Sequence, residues 1–126
     1  MAKATPDAVL DAALAVIALA DELFVCSGEP ANYAGIAAVA LATVALTPGD
    51  GNGDFVIADH TSGRKVTVSQ QADAAIDVSG TATHVVLATG GATDLVRQIT
   101  TCTSQALVDT GTVTIPAYII SFADPT

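Results

Sequence analysis

The chain has no tryptophan, and aromatic residues make up only 4% of its 126 positions. Flat platforms for stacking sugar rings are therefore scarce, which argues against a carbohydrate-binding module. Bases are almost as rare: Lys3, Arg64, Lys65 and Arg97 are the whole set, against 13 acids, for a net charge of −9. Phosphate recognition needs clustered Lys and Arg, so a nucleic-acid groove is not expected. The acidic balance also disfavours anionic membranes. There are two cysteines, Cys26 and Cys102. Two are too few for a disulfide scaffold, and no Cys/His spacing suggests zinc. Each closes an apolar run, so both read as buried free thiols that behave as small hydrophobes, with a bridge between them as the lesser reading. The longest apolar run near the start, Ala12–Ala20, is too short to span a membrane. It has features of a secretory signal, but Asp7 and Asp11 interrupt its beginning and Lys3 is its one base. The segment therefore reads as part of the fold.

What the chain does have is small apolar residues. Hydrophobic residues make up 51%, mostly Ala, Val, Ile and Leu, while only 13% are charged. The length suits one domain, 1–126, with a real core. A core of Ala and Val gains little burial per side chain. Such a chain is expected to share contacts with neighbouring subunits, hence to form a homo-oligomer. Its surface must be largely Ala, Thr, Ser and Gly, as in proteins that pack into large assemblies.

Local signals place the elements. Thr5-Pro6-Asp7 starts a helix: Thr5 can cap, Pro6 suits the first helical position, and Asp7 faces the positive end of the helix dipole. The helix is expected over about 6–21. Leu10, Leu14 and Ile17 form one apolar face at helical spacing, and Val9, Ala12, Val16 and Leu19 form an adjacent one. A helix apolar over most of its circumference is buried against the sheet or between subunits. Leu23–Cys26 reads as a short strand. Tyr33–Leu46 reads as a short helix or extended lead-in, then a strand over about Ala38–Leu46. Thr47–Asp54 is a Gly/Asn/Asp loop. Phe55–His60 and Arg64–Gln70 form a hairpin around Thr61-Ser62-Gly63, with Asp59 and Arg64 able to pair across the turn. A turn at Ala72–Asp73 precedes a strand over Ala74–Val78.

Ala82–Phe122 then reads as three β-branched, apolar segments punctuated by glycine: Ala82–Ala88, Asp94–Thr103 after a Thr89–Thr93 loop, and Thr112–Phe122 after a Gln105–Gly111 link. Pro116 falls within the last strand. Proline cannot donate to a ladder, so it marks an edge or a bulge. The expected fold is mainly β, an antiparallel β-sandwich over about 23–122 with one N-terminal α-helix.

Chemical signals are weak beside these. Asp50-x-Asn52-x-Asp54 alternates oxygen ligands as a calcium loop does, but Phe55 stands where such a loop has glycine and Thr61 where it has a bidentate glutamate. A plain Gly/Asn/Asp loop explains it better. His60 and His84 lack a nucleophile motif such as Gly-x-Ser-x-Gly. Gly90-Gly91 lacks a phosphate-binding pattern. No catalytic residue and no cofactor are assigned.

Several stretches resemble a group of small structural proteins of tailed bacteriophages. They are Leu10-Asp11 with Ala20-Asp21; Val25-Cys26-Ser27 with Glu29-Pro30 and Tyr33; His60–Val68; Gly80–Leu87; Thr100–Leu107; and Val113–Ala117 with Asp124-Pro125. The resemblance implies a virion component made in the bacterial host cytoplasm, with other capsid or tail subunits as partners. The expected role is capsid decoration by subunit–subunit burial. A small tail, neck or fibre protein is the alternative, and a host-surface or carbohydrate-binding module using the 47–54 loop is another. Leu10, Leu14, Ile17 and Pro116 are the expected interface residues.

Overall fold

The computed structural model describes residues 5–91 and 94–124. Lys3, Ala92 and Thr93 of the expected 89–93 loop, and Pro125 of the resemblance lie outside the described residues. The protein is mainly β, with antiparallel sheets and two helices.

The first helix, α1, spans Asp7–Ile17. Pro6 is its N-cap and no side chain caps it. Thr5 instead donates its backbone N–H to the Asp124 carboxylate. The Pro6 carbonyl accepts from Val9 at 2.9 Å, and Asp7 sits in the first turn as expected. The helix stops earlier than its apolar run. Leu19 and Ala20 turn back onto the Val16 and Ile17 carbonyls and lead the chain into the first strand.

That strand, β1 (Glu22–Cys26), is central in a four-stranded sheet. It pairs with β2 (Ala40–Ala45) on one side and β6 (Gly80–Thr89) on the other, and β6 pairs with β7 (Leu95–Leu107). The sequence ELFVC does not alternate because both faces of β1 are covered. Leu23 and Val25 join the main core, while Phe24 and Cys26 join a second cluster. That cluster lies under α2 (Tyr33–Val39), the short helix read as one option for the start of Tyr33–Leu46 and an addition to the single N-terminal helix of the expected fold. Asn32 caps it, accepting from the Gly35 N–H at 2.9 Å. Ile36 is buried beneath it, and Tyr33 stands edge-on to Phe24 at 6.5 Å between centroids.

A second sheet has the order β3-β4-β9, formed by β3 (Phe55–Asp59), β4 (Arg64–Val68) and β9 (Tyr118–Phe122). Val66 and Val68 point inward, as the alternation in KVTVSQ required. The β3–β4 turn packs on the end of β9. Gly63 has φ +77° there, and a Cβ at that position would collide with the Phe122 carbonyl oxygen. Only glycine satisfies both conditions. A third, two-stranded sheet pairs β5 (Gln71–Ala75) with β8 (Thr112–Ile115).

Four expectations need correction. The strand expected at Ala74–Val78 begins earlier, at Gln71. Asp73, at φ +54°, is an irregularity inside the β5–β8 pairing rather than a turn before it. β7 continues to Leu107, through half of the expected link. Thr112–Phe122 is two strands, not one: Pro116 and Ala117 separate β8 from β9, which belong to different sheets. Proline has no N–H for a ladder, so pairing with β5 ends there and the chain re-pairs with β4. Finally, of the two cysteines only Cys26 is buried; Cys102 is exposed, and both are free.

Candidate functional site

The helix decides where apolar surface is available. Leu10, Leu14 and Ile17 are buried in the subunit, Leu14 completely. Leu14 and Ile17 join one core cluster with Leu23, Val25, Leu87, Phe55 and Val66. These three residues therefore cannot meet a partner, contrary to expectation: the helix spends that face on its own sheets. The adjacent face is left over. Val9 is 57% exposed, Val16 51% and Leu19 49%. Ala8, Ala12, Ala13 and Ala15 are exposed with them, so the outward side of α1 carries no charge between Ala8 and Leu19 apart from half-buried Asp11.

Asp11 ties the helix to β4. Arg64 on β4 donates through Nε to Asp11 Oδ1 at 2.7 Å and through a terminal nitrogen to Asp11 Oδ2 at 3.3 Å, while its other terminal nitrogen meets Asp59. The cross-turn Asp59–Arg64 pair was foreseen. The link to α1 was not, because nothing local relates positions 11 and 64. Hydrogen bonds from Arg64 to Asp11, then to Asp59, raise the guanidinium pKa further. The fork–fork contact accompanies the burial of Leu14, which sets α1 with Leu14 inward and Val16 outward.

The second surface lies around Pro116, which is exposed. An apolar slot of about 240 Å³ opens between β7 and the β8–β9 junction, lined by Val85, Cys102, Leu107, Val113, Ile115 and Pro116. A neighbouring hollow of about 210 Å³ adds Thr100, Tyr118 and Ile119. Beside it the Tyr118 hydroxyl is buried with no hydrogen-bond partner among the described residues, and burial raises its pKa. Between Leu95 and Ala123 the sequence has one acid, Asp109, and one base, Arg97. The slot side is thus the weakly charged side of an acidic protein.

The remaining sequence candidates do not converge. In the 47–54 loop, Asp50 accepts from the Ile57 N–H at 2.8 Å, and the Asn52 amide donates to the Pro48 carbonyl at 2.8 Å. Asp54 accepts from the Thr47 N–H at 2.7 Å, the Ser69 hydroxyl at 2.9 Å and the Gln71 amide at 3.1 Å. Burial opposes its charge, but the donors on Thr47, Gln71 and Ser69 prevail and hold its pKa below the ordinary carboxylate value. These side chains close the loop onto β4 and β5. Among the described residues no cluster of three or more His, Cys, Asp or Glu side chains could hold a metal ion. His84 Nδ1 lies 2.8 Å from the Thr83 hydroxyl, and the His60 backbone N–H closes the turn onto Gly63. Neither ring hydrogen-bonds an acid among the described residues. Burial pushes the Cys26 thiol up to about 11 and raises that of Cys102.

The helix face Val9, Ala12, Val16 and Leu19 was legible as apolar from its spacing. That it faces outward was not, because two adjacent apolar faces give no preference. Ile119 and Phe122, also exposed, were hidden inside what read as one continuous strand. The chain matches no family model, no curated protein and no solved structure.

Proposed function

We propose that this chain is a structural subunit of a tailed-phage virion, a capsid decoration protein that acts by burying apolar surface against neighbouring subunits. Its two larger sheets form the layers of a β-sandwich, with α1 closing one side. The resemblance of its sequence stretches points to the particle. The outward apolar face of α1 is the observation that carries the reading, since a continuous uncharged helix face marks a contact surface.

The magnitudes favour a many-contact assembly over a single docking event. Complete burial of a Val or Leu side chain is worth about 1.5–3 kcal/mol, so covering three that are half exposed yields roughly 3 kcal/mol. Association alone costs about 4–15 kcal/mol. The helix face cannot hold one isolated partner, but a lattice of repeated contacts adds avidity. A tail, neck or fibre position would use the same mechanism, and the copy number per particle narrows the position: hundreds for decoration or a tail tube, few for neck, baseplate or fibre.

The test places charges on the outward face where they suit the helix dipole, so that folding is spared. Val9→Asp near the start and Val16→Lys near the end should keep the subunit folded and abolish its incorporation into particles. Normal occupancy of both variants would overturn the proposal.

A further inference from the structure

We propose that the weakly charged side of the subunit is a self-association surface, on which β9 pairs antiparallel with β9 of a second copy about a two-fold axis at Ile120. Four observations lead there, none of them dependent on a virion role.

First, β9 is the outer strand of β3-β4-β9, and among the described residues its other edge joins no ladder. Its pairing with β4 runs from Tyr118 to Phe122 without a register shift. The opposite edge of the same sheet, β3, is covered by its own loop, where the Gly51 N–H meets the Phe55 carbonyl and Asp50 accepts from the Ile57 N–H, while β7, an outer strand of the four-stranded sheet, breaks register with β6 twice. Such irregularities blunt an edge against further pairing, so β9 is the better template. The groups left open on it are backbone N–H and C=O, and the occupant that satisfies such a row is another strand.

Second, charge selects a copy of this chain. A protein of net charge −9 repels itself wherever acids face each other. YIISF has no charged residue, and from Leu95 to Ala123 the sole acid is Asp109. Two copies can meet on this side without bringing carboxylates together, whereas a basic partner would choose the acidic sides instead.

Third, the strand is self-complementary. With Ile120 on the axis, Tyr118 lies opposite Phe122 of the second copy, twice, and Ile119 lies opposite Ser121, twice. Aromatic cross-strand pairs are favourable contacts. Pairing also covers Ile119, 46% exposed, and Phe122, 38% exposed.

Fourth, the neighbouring hollow is lined by Tyr118 and Ile119 of this strand together with Pro116, so apolar contact extends beyond the strands.

Five residues span only about 17 Å. The buried area falls below the roughly 800 Å² per partner of a stable complex, so the dissociation constant should lie at about 10 μM to 1 mM. Sedimentation equilibrium of the full chain from about 10 μM to 2 mM tests this range. The expected mass rises from 12.5 kDa toward twice that value. Ile119→Lys should hold it at 12.5 kDa with an unchanged melting curve. That substitution lowers the net charge magnitude, so lost association cannot be ascribed to added repulsion. Val16→Lys makes the same charge change on α1 and should leave the dimer intact. If Ile119→Lys lowers the melting temperature, Ser121→Lys, at the exposed position opposite it, replaces it. A monomer throughout the range overturns the proposal. So does a dimer that survives the β9 substitution, or one lost only in Val16→Lys.

Discussion

Consider two substitutions on the same helix, two residues apart: Leu14→Ala and Val16→Lys. Leu14 is fully buried, packed among side chains of α1 and both larger sheets. Removing its three outer carbons loses their transfer free energy and leaves a cavity that the strands packed against it cannot fully close. The expected cost is about 3 kcal/mol, near the lower end of the range for leucine truncations in well-packed cores. Val16 is 51% exposed. Lysine there trades a β-branched residue for a better helix former and adds a cation near the helix C-terminus, so stability should change by about 0.5 kcal/mol or less. Urea unfolding followed by circular dichroism reads both. With a slope of about 1.5–2 kcal/mol per molar for a chain this size, Leu14→Ala should lower the midpoint by roughly 1.5–2 M, and Val16→Lys should leave it in place. A Leu14→Ala cost below about 1 kcal/mol would refute the assignment of the inward face, because no fully buried leucine in a single core is that cheap. So would a Val16→Lys cost approaching that of Leu14→Ala. The contrast also decides how assembly variants are read. A charge at Leu14 or Ile17 would unfold the subunit and mimic a failure to assemble, while a charge at Val16 isolates the contact.

Other consequences follow from the loop and the thiols. Asp54 is held below its ordinary pKa by donors on Thr47, Gln71 and Ser69 in the folded chain. Its contribution to stability is therefore present above the unfolded carboxylate pKa and is lost as pH falls through the lower folded one. Acid unfolding monitored by circular dichroism should be shallower below about pH 4 in Asp54→Asn, and identical acid limbs in the two proteins would contradict this role. With a thiol-specific reagent at neutral pH, Cys102 should react in the native protein and Cys26 only after unfolding. The Cys26 thiol, at about 11 in the fold against 9.0 ordinarily, favours the folded state below pH 9, an advantage lost as pH rises toward 11. Two equally fast thiols in the native protein would show that Cys26 is not sealed under α2.

The cross-turn pair and the sheet change at Pro116 show how different parts of the chain were legible. Asp59 and Arg64 flank a turn, so their pairing follows from hairpin geometry alone. Asp11 completes the same ion cluster from 53 residues away, and no local pattern announces that. At Pro116 the missing N–H was visible in the sequence, and an edge or a bulge within one strand was expected from it; the structure ends one strand there and starts another in a different sheet. Whether the chain would bulge, stop or change sheets depended on which strands stood ready to pair on each side.

The sequence by itself determined what local physics controls. Helix start and spacing, the Gly63 turn, the loop at 47–54 and the β-branched strands all follow from short-range sterics and hydrogen bonding. The low and one-sided charge likewise shapes which partners the surface suits. Only the tertiary structure decided orientation. Two apolar faces on α1 were legible, and what packs opposite the helix set which one turned inward, with the Arg64 fork on Asp11 accompanying that choice. On α1 the residues expected to meet a partner became the core, and those beside them became the surface. Inside and outside are properties of the assembled elements, because burial depends on what packs opposite a side chain and not on the side chain alone.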